Sequence, residues 1–96
     1  MQRTKQEVID EICEILSVPR LMVSNGSTEP KELFVLVSEM NGLNLDKRLS
    51  KPDMAQAICE YAGIRWLASG SSTGSTVTLK GLLLVLEATK RFRLIS

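Results

Sequence analysis

The chain has 96 residues, the length of one ordinary domain, which buries roughly 60–70% of its unfolded surface and needs no disulfide or metal to fold. Twelve basic and eleven acidic residues give a formal charge of +1, which excludes a protein that coats nucleic acid by net charge alone. Residues 1–39 contain four basic and seven acidic residues, whereas residues 40–96 contain eight basic and four acidic residues. We therefore expect the second half of the chain to bind any polyanionic partner.

Residue usage also restricts the chemistry. The chain has no histidine, which excludes a nucleophile activated by histidine. Cys13 and Cys59 lack the spacing of a zinc site and lie in helical patterns, which predicts two reduced, partly buried thiols and a cytoplasmic protein. The longest apolar run, Leu82 to Leu86, is far too short to span a membrane.

The first predicted helix begins at a capping box formed by Thr4 and Glu7. Its apolar face consists of Val8, Ile9, Ile12, Cys13, Ile15 and Leu16. The opposite face is acidic, and we interpret it as a solvated surface because nothing apolar beside it would raise a carboxyl pKa.

A second helix is predicted after a break at Pro19. Residues 20–24 read as a short extended segment that enters an Asn25-Gly26 turn. The helix is expected to begin at Thr28, with Pro30 in its first turn, and to end at 41–42.

The third helix carries the clearest signals in the chain. Ser50 can cap it, Pro52 suits its first turn, Asp53 suits its dipole, and Gly63 can adopt the left-handed conformation that ends it. With the second helix and the linker 43–49, it resembles a helix-turn-helix or helix-extension-helix pair.

The C-terminal third contains a loop and a fourth helix. Residues 64–67 and 76–78 could pair as a β-hairpin, the wing of a winged helix, or could flank a flexible loop, and the sequence leaves both open. Thr78 is the expected cap of the last helix, whose predicted core residues are Leu79, Leu82, Leu83, Val85 and Leu86.

These elements predict a mainly α fold, a bundle of about four helices that forms one domain over residues 1–96, either complete or part of a longer polypeptide. The residues expected to be buried together are Leu36, Val37, Ile58, Tyr61, Leu82 and Leu86.

Two sequence motifs resemble parts of enzyme active sites, but each lacks residues that the corresponding site requires. The loop from Gly70 to Thr76 has three residues between its glycines and no lysine, whereas a phosphate-binding P-loop needs four and a lysine. Pro52-Asp53 lacks the second acid and the lysine of a nuclease site. We therefore expect no catalytic residues, no cofactor and no metal.

The basic residues offer a different site. Those in the linker flank the start of the third helix, whose free N–H groups and dipole favour a phosphate. The loop before the last helix would form a second contact region. The predicted DNA-binding residues are Lys47, Arg48, Ser50, Lys51, Gln56, Arg65, Ser72 and Thr73.

Four segments also resemble a known group of domains: 26–34, 49–58, 62–66 and 75–79. Over about residues 18–90 the chain resembles small helical domains carried by bacterial restriction-type endonucleases and related defence proteins. The resemblance lies in caps and turns and brings no nuclease residues with it. It implies an accessory recognition domain that works with a catalytic domain.

Two hypotheses about function follow. The first is a non-catalytic module that binds or positions double-stranded DNA through the basic second half. The second is a protein-interaction or regulatory module, for example a homodimerisation domain, that uses the acidic first helix or the aliphatic last helix.

Overall fold

A computed structural model describes residues 3–24 and 28–95 of the chain. The predicted turn at Asn25-Gly26 lies outside these residues. The described part is mainly α, with four helices and one small antiparallel hairpin. The helices are α1 (Lys5–Leu16), α2 (Lys31–Met40), α3 (Lys51–Tyr61) and α4 (Leu79–Ile95), and the strands are β1 (Ser72–Thr73) and β2 (Thr76–Val77).

Side-chain caps begin three of the four helices, each at the predicted residue. Thr4 and Glu7 form the capping box of α1, with each side chain accepting the other's backbone N–H. The Ser50 hydroxyl accepts the N–H of Asp53 at 3.3 Å, and the Thr78 hydroxyl accepts the N–H of Gly81 at 3.2 Å. These caps satisfy N–H groups that have no partner within the helix.

The predicted start of α2 at Thr28 is wrong by three residues. Thr28 instead pairs with Ser24 in an isolated antiparallel bridge, and Pro30 stands at the N-cap with an extended backbone and no side-chain cap. Two features oppose a helix at these residues: the bridge with Ser24 engages Thr28, and the proline disfavours a helical conformation at the buried Glu29 before it.

The hairpin forms, but the residues that pair in it differ from those predicted. Ser72 pairs with Val77 and Thr73 with Thr76, so the turn has two residues, and its first is Gly74 at φ 61°. A glycine at that position suits a type II′ turn, whose twist matches the strands. Residues 64–67 stay outside the hairpin because Ile64 is buried in the core.

The core is aliphatic and draws on all four helices and β2. Its buried apolar residues are Val8, Ile9, Ile12, Cys13, Leu16, Leu33, Phe34, Val37, Met54, Ala55, Ile58, Cys59, Ile64, Val77, Leu82, Val85, Leu86 and Ala88.

Two core predictions are wrong and two are only partly right. Tyr61 is 66% exposed and Leu83 is 39% exposed, while Leu36 and Leu79 are half-buried. Tyr61 is the last residue of α3, where the chain leaves the core, and Leu83 lies next to Leu82, about 100° further round α4.

The connection between α2 and α3 runs from residue 41 to residue 50. The two helices pack against each other, but this connection is longer than the three or four residues of a helix-turn-helix. The pair therefore resembles a helix-extension-helix unit more closely.

Replacing Ser50 with Ala should remove the cap of α3 and lower the free energy of unfolding by about 1 kcal/mol. Ser17→Ala is the matched control, because the Ser17 hydroxyl has no hydrogen-bond partner among the described residues. Urea denaturation of both variants measures the difference. Equal losses would contradict the start of α3 described above.

Replacing Gly81 with Ala should destabilise the protein, although alanine normally favours a helix by about 1 kcal/mol over glycine. The added Cβ would meet the Ser71 carbonyl oxygen and approach a methyl carbon of Val77 to 2.7 Å. Overpacking of this kind costs about 1–3 kcal/mol. A rise in the thermal midpoint would show that the hairpin does not pack closely on the start of α4.

Candidate nucleic-acid interface

The first residues of the four helices lie around the buried carboxylate of Glu29. Its side chain is 0% exposed and accepts hydrogen bonds from Lys5 Nζ at 3.1 Å, from Lys51 Nζ at 2.7 Å and from the N–H of Val77 at 3.1 Å. Lys5 and Lys51 are the first residues of α1 and α3, while Glu29 and Val77 each lie two residues before α2 and α4. One end of the bundle is therefore assembled around this group.

Glu29 is ionised in this environment. Burial raises the pKa of its carboxyl, but the hydrogen bonds from Lys51, Val77 and Lys5 and from its own backbone N–H outweigh burial, so that the pKa lies below its ordinary value. The positive ends of the helix dipoles act in the same direction. Two lysines and one glutamate leave this cluster with a net charge of +1.

Lys51, a predicted phosphate contact, is largely committed to this cluster. Its ammonium donates to the Glu29 carbonyl oxygen at 2.9 Å as well as to the carboxylate, and its side chain is 15% exposed. One of its three N–H donors is left for another partner.

The two linker cations predicted beside it are exposed. The Arg48 guanidinium, 91% exposed, donates to Asp46 through Nε at 3.2 Å and a terminal nitrogen at 3.0 Å. Lys47 pairs with the exposed Glu39 at 2.9 Å, and Lys31 donates to the Lys47 carbonyl oxygen at 2.7 Å. Exposed pairs of this kind contribute about 0–1 kcal/mol, so a phosphate could replace the carboxylate partner.

The hydrogen bond from Val77 to Glu29 places the hairpin beside the start of α3. It brings Ser72 and Thr73 to the same end of the bundle as Ser50 and Lys51, because Ser72 pairs directly with Val77. Thr73 is exposed and Ser72 is half-buried.

Two further predicted residues lie apart from this group. Gln56 is exposed in the middle of α3. Arg65 lies toward the opposite end of the helix, two residues after Gly63, whose carbonyl accepts a hydrogen bond from Arg91 late in α4. The structure thus brings the linker and the hairpin to the start of α3 but not Arg65.

Two lysines that were not predicted as contacts lie at the same end. Lys31 is the first residue of α2 and its ammonium contacts the linker. Lys80 is in the first turn of α4, and its side chain runs past Gly70 in the loop that leads into the hairpin. The sequence could have indicated both lysines as phosphate contacts, because each lies in the first turn of a helix.

The C-terminal basic cluster has a structural role. Arg93 donates to the carbonyl oxygen of Ile15 at the end of α1, Arg91 donates to those of residues 62 and 63 at the end of α3, and Lys90 pairs with Glu11 at 3.3 Å. Cations there satisfy carbonyl groups and suit the negative ends of the helix dipoles. The basic second half thus compensates part of the acidic first half.

The acidic face of α1 forms an open groove lined by Arg3, Glu7, Asp10, Glu11, Glu14 and Ile15. Two of its carboxylates form ion pairs: Asp10 with Arg20 at 2.8 Å, and Glu11 with both Arg3 and Lys90. Hydrogen bonds from Arg20 and Arg3 lower the pKa values of Asp10 and Glu11 respectively. These two carboxylates are therefore ionised at neutral pH and cannot act as general acids.

The two cysteines are buried thiols. Burial raises the pKa of Cys13 and raises that of Cys59 to about 12. Both stay protonated at neutral pH and are poor nucleophiles. Within the described ranges, no group of three or more acidic or cysteine side chains could hold a metal ion.

Comparison with protein-family models, with curated proteins and with solved structures found no match to this chain. Across residues 3–24 and 28–95, none of the helices combines the length and the apolar character needed to cross a membrane.

Proposed function

We propose that this domain binds the phosphate backbone of double-stranded DNA with the end at which its helices begin. The observation that supports it best is the contact of Val77 with Glu29, which sets the hairpin beside the start of α3. In this proposal the linker residues Lys47 and Arg48 and the exposed hairpin residue Thr73 contact the same stretch of backbone. Exposed cations and hydroxyls of this kind contact phosphate oxygens.

Electrostatics at this end favour an anion. The exposed side chains of Lys31, Arg48 and Lys80 lie near helix starts, which carry partial positive charge, and the ammonium of the linker residue Lys47 pairs with Glu39 in the last turn of α2. The cluster around Glu29 adds one net positive charge below them.

In this proposal the domain is a non-catalytic accessory module. Its resemblance to domains of restriction-type endonucleases fits a role in positioning a catalytic domain on DNA. Contacts to phosphate carry no base specificity, so binding is expected on any sequence.

The test is a fluorescence titration of duplex DNA at several salt concentrations. The double variant Lys47→Gln and Arg48→Gln should weaken binding to all sequences alike and reduce the slope of log K against log salt by about two, close to one unit for each lost phosphate contact.

The matched control is the double variant Arg20→Gln and Lys90→Gln. Both residues are partly exposed, and both are paired with carboxylates of α1, so the change in net charge is the same. Equal weakening by the two double variants would mean that diffuse charge alone acts. If the unmodified chain fails to bind at low salt and light scattering gives the mass of a dimer, the interaction-module hypothesis replaces this one.

A further inference from the structure

The hairpin is too small to be stable by itself. It contains two residue pairs, and even longer isolated hairpins are only marginally stable in water. It makes one internal side-chain bond, from the Thr76 hydroxyl to the Thr73 carbonyl oxygen at 2.8 Å. Its position must therefore depend on contacts with the helices.

The hairpin contacts the helices in two ways. The side chain of Val77 is buried in the core and the backbone of Ser71 packs against Gly81 in α4, and these packing contacts have no fixed direction. The N–H of Thr78 donates to the Ser71 carbonyl oxygen at 3.0 Å, a bond that stays within residues 71–78. The N–H of Val77 donates to Glu29 at 3.1 Å. The bond to Glu29 is directional, and it spans 48 residues of sequence.

We infer that the Glu29 carboxylate is a latch that holds the hairpin against the start of α3, and that the hairpin opens as a unit when this carboxylate is removed or protonated. The helices stay assembled, because their shared core is apolar and contains only Val77 from the hairpin. This inference concerns the fold and does not depend on DNA binding.

The charged groups that contact Glu29 are Lys5 from α1 and Lys51 from α3, while the hairpin contributes the uncharged N–H of Val77. Removing Glu29 alone would leave both lysines without a partner and could unfold the protein. Replacing a whole buried ion cluster with apolar residues is often neutral or stabilising. The triple variant Glu29→Met, Lys5→Met and Lys51→Met therefore isolates the latch.

Amide hydrogen exchange measured by NMR on the full chain is the test. In the triple variant the Val77 amide loses its acceptor in any case, so the Thr78 amide, whose acceptor Ser71 is unchanged, reports the opening of the hairpin. Protection of both amides should fall at least about tenfold, while the amides of Ile58 and Val85 in α3 and α4 keep theirs. The control Thr76→Val removes the internal bond of the hairpin and should leave Val77 protected.

Two results would overturn the inference. Unchanged protection at Thr78 in the triple variant would mean that side-chain burial alone holds the hairpin. A parallel fall at Val77, Ile58 and Val85 would mean that Glu29 supports the whole fold.

Acidification of the unmodified protein gives a second readout that needs no variant. Protection at Val77, corrected for the intrinsic exchange rate, should be lost at a higher pH than protection at Ile58 and Val85. Simultaneous loss at all three amides would contradict the latch.

Discussion

Glu29→Ala should lower the free energy of unfolding at pH 7 by roughly 3–5 kcal/mol, the range for breaking a buried ion pair by removing one partner. The change leaves Lys5, Lys51 and the Val77 N–H without their shared acceptor. We expect the lower part of the range, because both lysine side chains are partly exposed and can extend into water. Guanidinium denaturation measures the loss.

The control is Glu39→Ala, which removes an exposed carboxylate from α2 that pairs with Lys47. An exposed pair contributes about 0–1 kcal/mol, so this variant should remain close to the unmodified protein. A Glu29→Ala loss as small as that of Glu39→Ala would mean that Lys5, Lys51 and the Val77 N–H lose their shared acceptor without a cost in stability.

The contribution of Glu29 should also depend on pH in one direction. Its folded-state pKa lies below the ordinary value, so the stability it confers is fully present above the ordinary carboxyl pKa and is lost as the pH falls through the folded-state pKa. The difference between the unmodified protein and Glu29→Ala should therefore be largest near neutral pH and shrink in acid. A difference that grows in acid would contradict the ionised state described for Glu29.

The features of the fold that could be predicted from the sequence are those set by residues a few positions apart. Thr4, Ser50 and Thr78 each cap a helix by accepting an N–H three residues along the chain, and each was identified correctly. Gly63, at φ 77°, was likewise predicted to end α3. Such signals determine where a helix begins and ends whatever it later packs against.

Glu29 could not be predicted in the same way. Its partners Lys5, Lys51 and Val77 are 24, 22 and 48 residues away, and no local pattern marks a glutamate that will be buried. The same long-range contacts explain why Lys51, expected to face a phosphate, is largely used inside the protein.

Ile58→Ala should lower the free energy of unfolding by about 2–5 kcal/mol, the cost of deleting a large aliphatic side chain from a closed core. Ile58 is 0% exposed in the middle of α3 and packs within the apolar cluster shared by all four helices. The range is wide because the cost depends on how far the surrounding side chains can collapse into the space left behind.

Tyr61→Ala, one turn further along the same helix, is the control. Hydrophobic periodicity predicted both residues as core, but Tyr61 is 66% exposed, and a surface change away from specific contacts usually stays within about 0.5 kcal/mol. Thermal and urea denaturation of the two variants separate the two positions. A larger loss for Tyr61→Ala than for Ile58→Ala would mean that α3 is rotated from the orientation described here, with the face that carries Tyr61 against the core.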